Sequence, residues 1–417
     1  MAGAEILGFL DRIDLDASHV YSLSDDLDRA AVGKASIVAE RVRDTYSVDL
    51  SADYAGVSLP HPFGKAAGQL SLNESQVSSD RESGLSFTVL KSAVGVTVTG
   101  EVGIEDWEKS APAMVLEPRV ARDGRTGWTV TWKGRGWDKG FNAYLGFYRD
   151  ALGLNPGYPV IPSLMVDVTD RDRAMRQAGY CLAQLMEVHR DNYPGKLFLV
   201  EIDISPTLFL LPDADRDEAI PDYVRTSVAA FRHGLRAGGA CIVKLPNADR
   251  GPEFQLQLAK AAIEEGAGKI AGLIVGNRLF DPDAEFGGQK GIAYGGYDLS
   301  NANLETLDRL AAENVKPPLI GTGNICSGRM MAEYALRGCT AGELHTFFQL
   351  PPSSYRAPQE SGGRTWRALR ELLYHPDDGL IAVLLKLAKT GMLERMENLV
   401  RFLDLPKALP AIKEAQP

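Results

Sequence analysis

Two short tips near the end of the chain carry groups that could hold an anion. Gly321-Thr322-Gly323-Asn324 closes the apolar run "PLIG", and His345-Thr346 closes "GELHT", with a helix-like segment from Ser327 to Leu336 between them. Glycine lets backbone N–H groups approach an anion closely, and hydroxyl, amide and imidazole groups add further hydrogen bonds. A helix beginning near Ser327 would contribute the positive end of its dipole. The plain alternative is a pair of ordinary strand-to-helix turns. Two lysines also stand at strand ends, Lys91 in "FTVLK" and Lys244 in "CIVKLP". There they would place cations beside a ligand that gains negative charge. The alternative for either is a surface lysine with its stem along apolar neighbours and its head in water.

The elements that must position these groups alternate regularly. Strand-like runs are "FGKAA" (63–67), "FTVL" (87–90), "PVIPSLMV" (159–166), "LFLVEIDI" (197–204), "CIVKL" (241–245), "GLIV" (272–275), "PLIG" (318–321) and "GELHT" (342–346). Helix-like segments such as "RDRAMRQAGYCLAQLMEVHRDN" and "NANLETLDRLAAEN" separate them, and several stop at glycine, which readily takes the left-handed helix cap. Short apolar strands alternating with helices predict a parallel sheet in an α/β protein. Eight of them suit a (β/α)8 TIM barrel, and no GxGxxG follows the first strand to favour a dinucleotide fold. In such barrels ligands bind at the C-terminal ends of the strands, with phosphate after strands seven and eight. The two tips fall there.

Outside the barrel units, residues 1–58 read as a helical cap and 351–417 as a helical extension around the 59–350 core. The extension could pack on the core or form a dimer contact. An insertion at about 92–157, rich in Gly and Trp ("TGWTVTWKGRGWDKG"), predicts hairpins covering one mouth of the barrel. Its Trp128, Trp132 and Trp137 could line a pocket or pack as a hairpin face.

Composition narrows the functional classes. A net charge of −10 without a clustered basic stretch disfavours nucleic acid as a partner. Cys181, Cys241, Cys326 and Cys339 lie far apart, form no metal-ligand spacing, and suit buried thiols in a reducing compartment. No segment approaches the roughly 18 consecutive apolar residues of a membrane span, and the N-terminus lacks a signal-peptide pattern. The expectation is a soluble, cytoplasmic protein.

Several stretches, taken in order, resemble the dihydroorotate dehydrogenase superfamily of FMN-dependent barrels over about residues 55–350. "HPFGKAAGQ" is similar to the family's first-strand motif, "LKSAVG" to the "TKSST" of its soluble class, and "GFNAY" to "GFNS". "VKLP", "GLIVGN", "LIGTGNICSG" and "LHTFF" resemble the later strand ends. The resemblance implies an FMN cofactor with Ala67 and Gly68 along the flavin and Lys91 and Lys244 facing its ring and ribityl side. It places Asn277 on flavin or substrate, and Gly323, Asn324, His345 and Thr346 on the phosphate. Asn142 and Thr207 would meet the substrate. In "IDISPT" the family's catalytic base falls on Ser205, with Lys91 as the second catalytic residue. Two family asparagines of that loop fall on Ile202 and Thr207, Ser71 replaces the lysine of the membrane-associated class, and Asn324 replaces a phosphate-loop glycine. Asp203 is a further departure, either a polar substrate contact or a partner for Lys244 or Arg135.

The implied activity is hydride transfer between flavin and a C–C/C=C bond of a dihydropyrimidine-like or related small polar substrate, with an electron acceptor or donor as second partner. A true dihydroorotate dehydrogenase is one alternative. From another class, a non-redox barrel binding a phosphate-bearing ligand is the other.

Overall fold

The structure, a computed structural model, describes residues 4–415 apart from 30–33, 104–112, 122–123, 134–136, 138, 206–207, 210, 212–217, 249, 267, 287–288, 316 and 359–361. Its frame is a curled, ten-stranded parallel sheet in a mixed α/β fold. The strands are β1 (Phe63–Lys65), β2 (Thr88–Val89), β3 (Ala93–Val94), β4 (Val160–Ile161), β5 (Ser163–Met165), β6 (Leu199–Asp203), β7 (Ala240–Lys244), β8 (Ile270–Ile274), β9 (Leu319–Thr322) and β10 (Cys339–Leu344). They are short and apolar because both faces are covered; Cys241, Ile242 and Val243 of β7 are all buried.

Register fixes which side chains meet. β5 pairs with β6 through Ser163↔Glu201, β6 with β7 through Asp203↔Lys244, and β9 with β10 through Thr322↔Glu343. β10 pairs with β1 through Leu344↔Lys65, and β1 with β2 through Lys65↔Thr88. Val89 of β2 lies opposite Ile161 of β4, while Ala93 of β3 lies opposite Leu164 of β5. Pro162 alone separates β4 from β5; it has no N–H for the ladder, but its carbonyl still accepts from Glu201 N at 2.9 Å.

Helices cover the outside of the sheet. They are α1 (Ala17–Asp28), α2 (Ala35–Tyr46), α3 (Glu74–Glu82), α4 (Phe141–Leu154), α5 (Arg171–Asn192), α6 (Ala219–Gly234), α7 (Pro252–Gly266), α8 (Tyr297–Ala312), α9 (Gly328–Leu336), α10 (Arg364–Tyr374), α11 (Leu380–Lys389) and α12 (Leu405–Ala415). From α3 to α8 each packs on the next. Local signals start them: Asp170 caps α5 by accepting from Arg173 N at 3.0 Å, and Asn73 caps α3 by accepting from Gln76 N at 3.0 Å. Gln76 Oε1 in turn accepts from Leu72 N, one residue before the cap, at 2.6 Å. Among the described residues no helix is long and apolar enough to cross a membrane.

The two ends of the chain meet. Val48–Asp49 pairs in parallel with Val400–Arg401, α1 packs on α10, and Arg370 donates to Asp26 O at 2.9 Å. Of the two arrangements open to the C-terminal helices, the structure has them packed within the chain: α11 is buried from Leu380 to Leu387 and lies against α9 and α10.

His61, just before β1, is fully buried. Its Nε2 lies 2.7 Å from Gly84 O, and its Nδ1 accepts from Phe63 N at 3.2 Å. The neutral ring with its proton on Nε2 satisfies both contacts, and burial pushes its pKa down to about 4. As pH falls, the unfolded chain, with histidine near its ordinary value of about 6.5, takes up this proton first. The stability contributed by neutral His61 is therefore present above that value and lost as pH falls towards 4. Thermal unfolding should show a steeper loss between pH 6.5 and 4 for the native chain than for His61→Gln, the difference amounting to about 3 kcal/mol. Parallel curves would remove His61 from the acid limb.

Candidate functional site

A cavity of about 190 Å3 opens at the C-terminal ends of β1, β8, β9 and β10. Ala66 and Ala67 follow β1, Asn277 and Arg278 follow β8, and the Thr322–Cys326 and Glu343–Phe347 tips complete the floor. Thr126, Gly127, Trp128 and Val130 of the hairpin Ala113–Val120 with Thr126–Lys133 line it, as do Gly295, Gly296 and Tyr297, which follow a second hairpin, Leu279–Phe286 with Gln289–Tyr294. The two are joined where Gly295 N donates to Thr129 Oγ1 at 2.9 Å and the Arg125 guanidinium sits 4.2 Å from the Tyr297 ring centre.

The β9 tip is shaped by backbone conformation and by helix side chains. Gly323 and Asn324 both take left-handed φ, 92° and 52°. A Cβ on Gly323 would come within 2.7 Å of Leu299, so glycine is required there. Buried Asn303 of α8 donates to Gly276 O and Thr322 O, each at 2.9 Å, tying the β8 and β9 tips together. Tyr334 of α9 donates to Thr322 O at 2.6 Å, and Asn324 Nδ2 donates to Ser300 at 3.1 Å.

The start of α9 is used differently from the expectation. Arg329 N donates to Asp378 O at 2.8 Å and Met330 N to its cap Ser327 at 3.1 Å. A Cβ on Gly328 would fall 1.9 Å from Leu380 N, so this helix end is docked on the start of α11. Two of its first-turn donors are already satisfied by protein groups.

Beneath the cavity lies a buried charge cluster. Lys244 Nζ is 2.7 Å from Oε2 of Glu201 and 2.7 Å from Oε2 of Glu343. Tyr54 donates to Glu343 Oε1 at 2.7 Å, and Ser163 donates to Glu201 Oε1 at 2.8 Å. Ser92 Oγ lies 2.9 Å from Ser163 Oγ and donates to Asp203 Oδ2 at 2.6 Å. Burial opposes the charge on Lys244, but the two glutamates outweigh it and hold the ammonium well above its ordinary value. Burial, then the Glu343 carboxylate, push Glu201 up. Lys91, also buried, is pulled down to about 8 by burial, against the attraction of Asp203 and with the repulsion of Arg278 and Lys244. Burial takes Arg278 down to about 10, again against Asp203. Neither lysine extends its head into water.

The expected site residues divide into groups. Ala67, Asn277, Gly323, Asn324, His345 and Thr346 share the cavity. Gly68 lies against the imidazole: a Cβ there would meet His345 Nε2 at 2.2 Å, while Gln349 Nε2 holds Nδ1 at 2.9 Å. Burial and the surrounding cations keep His345 neutral. Lys91 and Lys244 belong to the cluster below. Ser205 is half-buried just beyond β6, and Thr207 and Arg135 lie outside the described residues. Asn142 is exposed in the first turn of α4, away from the cavity lining. Trp128 lines the cavity, Trp137 stacks on Phe147 at 5.1 Å, and the side chain of Trp132 is not among those described. Three cysteines are buried as expected, whereas Cys326 is exposed on the cavity wall.

Arg278, Glu201, Glu343, Ser92, Ser163 and Tyr54 had no place in the sequence reading. The signal available was carboxylates inside apolar strands: Glu201 and Asp203 alternate onto one face of "LVEID", and Glu343 interrupts "CTAGEL".

The donor set suits an anion. Asn277, Arg278, Thr346 and the glycine tip converge on it, and the one lining carboxylate, Glu343, is paired with Lys244. The enclosed space takes a phosphate and the chain next to it. It is smaller than the about 300 Å3 and above of common ligand pockets, and His345 fills the space beside Gly68.

No protein-family model matches this chain, and no curated protein does.

Removing the cluster's cation tests its role. Lys244→Met should cost about 3–5 kcal/mol near pH 7, because two buried carboxylates lose their partner. Raised carboxylate pKa values stabilise below the unfolded value and lose that contribution as pH rises, so the deficit should shrink towards pH 4.5. Denaturant titrations at pH 4.5 and 7.5 read the effect; a pH-independent deficit would mean the loss is packing alone.

Proposed function

We propose that the sheet is a closed (β/α)8 barrel and that the chain is an FMN-dependent oxidoreductase related to the dihydroorotate dehydrogenases. Closure is supported by the paired ladders β2–β4 and β3–β5: counting 88–94 and 160–165 as one strand each gives a ring of eight segments. The observation that carries the cofactor is convergence. Six residues expected on FMN from separate motifs, Ala67, Asn277, Gly323, Asn324, His345 and Thr346, line one cavity at strand C-terminal ends.

In this reading Gly323, Asn324, His345 and Thr346 hold the phosphate, and Ala67 and Gly68 give the flat side chain-poor surface the ring needs. When bound, FMN supplies the hydride acceptor or donor. Arg278 places positive charge on the cavity wall, Lys91 lies in the cluster below it, and Lys244 anchors the carboxylates there. Ser205 exchanges the substrate proton. A hydroxyl is a weak base, so it works through a relay, and Asp203 stands two residues earlier, at the end of β6. The substrate is a small polar molecule with a C–C/C=C bond beside a carbonyl, and three buried free thiols suit a reducing cytoplasm.

Purified protein should be yellow and release FMN, not FAD, on denaturation. Ser205→Ala should retain FMN while slowing anaerobic flavin reduction by about 10²-fold or more; an unchanged rate takes Ser205 out of the reaction. Rapid bleaching by dihydroorotate would make that compound the substrate. The small enclosed volume favours one other reading, a non-redox barrel for a phosphate-bearing ligand smaller than a flavin. A colourless protein that takes up no added FMN would decide for it.

A further inference from the structure

A second cavity, of about 580 Å3, lies at the opposite end of the sheet. It opens where strands begin: Pro60 precedes β1, Ser86 precedes β2, Pro159 precedes β4, and Leu197 precedes β6. The tips that build the first cavity contribute nothing here, so this space is separate from the FMN reading and does not rest on it.

Its walls are of two kinds. Leu59, Leu85, Val160 and Leu199 are buried side chains forming an apolar floor, and Leu197 presents 47% of its surface at the edge. Leu197 is among the few large apolar side chains left exposed, and filling the cavity would cover it. Around that floor stand Lys34, Arg81 and Lys196, with no aspartate or glutamate among the lining residues. Acidic residues outnumber basic ones 55 to 45 in this chain, so three cations around an acid-free hollow form a local reversal of the protein's charge. Among the described residues none of the three has a carboxylate within ion-pair distance, and Arg81 reaches only the carbonyl of Leu154, at 3.3 Å. The Lys196 backbone is fixed: its carbonyl lies 3.3 Å from Nε2 of buried His189, whose Nδ1 meets Tyr148 OH at 2.9 Å.

We propose that this cavity binds an amphipathic carboxylate, with its hydrocarbon body on the Leu59–Leu85–Val160–Leu197 surface and its head held by Arg81, Lys196 and Lys34. A carboxylate suits the planar fork of Arg81, which can donate two parallel hydrogen bonds to its oxygens. The apolar floor selects against fully polar anions, which would leave it wet. The cations select against neutral lipids and alcohols of the same length, which would leave the cations unpaired.

Calorimetric titration of the full-length protein with sodium octanoate, below its micellar range, tests this. Saturable binding near one equivalent is expected, weakening as salt is raised from 50 to about 500 mM because the attraction is ionic. Octan-1-ol, with the same body and no charge, should bind at least about tenfold more weakly. Arg81→Ala combined with Lys196→Ala should weaken octanoate by a similar factor and leave octanol unchanged. Both side chains are at least partly exposed, so the variant's melting temperature should stay near that of the native chain. Val160→Ala enlarges the floor and should change affinity for octanoate and octanol alike. Absence of saturable octanoate binding, equal binding of octanol, or octanoate binding untouched by the double substitution would each overturn the proposal.

Discussion

One ammonium group between two carboxylates, buried inside the sheet, sets the conditions for everything at the cavity end of this protein. Lys244 can remain charged there only because Glu201 and Glu343 face it from β6 and β10, strands that do not pair with each other. Desolvating three charged groups is expensive, and the arrangement is tolerable because Tyr54 and Ser163 satisfy further carboxylate oxygens. The cluster is best understood as a specificity device. It locks three strands in one register, since sliding any of them by a residue would turn its charged group to the opposite face.

The same cluster bears on the cations left around the cavity, Arg278 on its wall and Lys91 buried below it. With the glutamates committed to Lys244, Lys91 and Arg278 are left opposite Asp203, and both are held below their ordinary pKa by burial. A site of this kind meets an incoming anion with cations that are already desolvated, so binding repays part of a cost incurred on folding. The β9 tip adds geometry to that charge: Asn303 and Tyr334 pin its carbonyls from two helices, leaving the Gly323–Asn324 turn fixed against the cavity.

The strand–helix alternation was readable from the sequence because apolar runs buried on both faces leave a plain signal, and every one of the eight runs overlaps a strand of the sheet. The internal breaks were not. Pro162 splits one run for want of an N–H, although "PVIPSLMV" carries its proline in view, and the strand Ala93–Val94 falls past the run 87–90, inside the stretch expected as the insertion. The hairpin Leu279–Phe286 with Gln289–Tyr294 escaped because its residues alternate weakly; in the structure it lies against the first hairpin. At the site, motif order brought six residues to one cavity, yet it could not reveal that Glu201 and Glu343 close on Lys244, because that contact joins residues far apart in the chain. Nor could it show that Arg329 and Met330 spend their N–H groups on Asp378 and Ser327. A helix start reads the same in sequence whether it faces a ligand or a neighbouring helix.

The ladder between Val48–Asp49 and Val400–Arg401 carries an implication for how the chain is put together. An element that joins Val48 to Val400 cannot be completed during synthesis until Val400 has emerged. The core can therefore assemble first, and its outer wrapping fastens only afterwards, as a late clasp. Removing either strand would leave the other unpaired, so the two flanking regions behave as one module despite their separation along the chain.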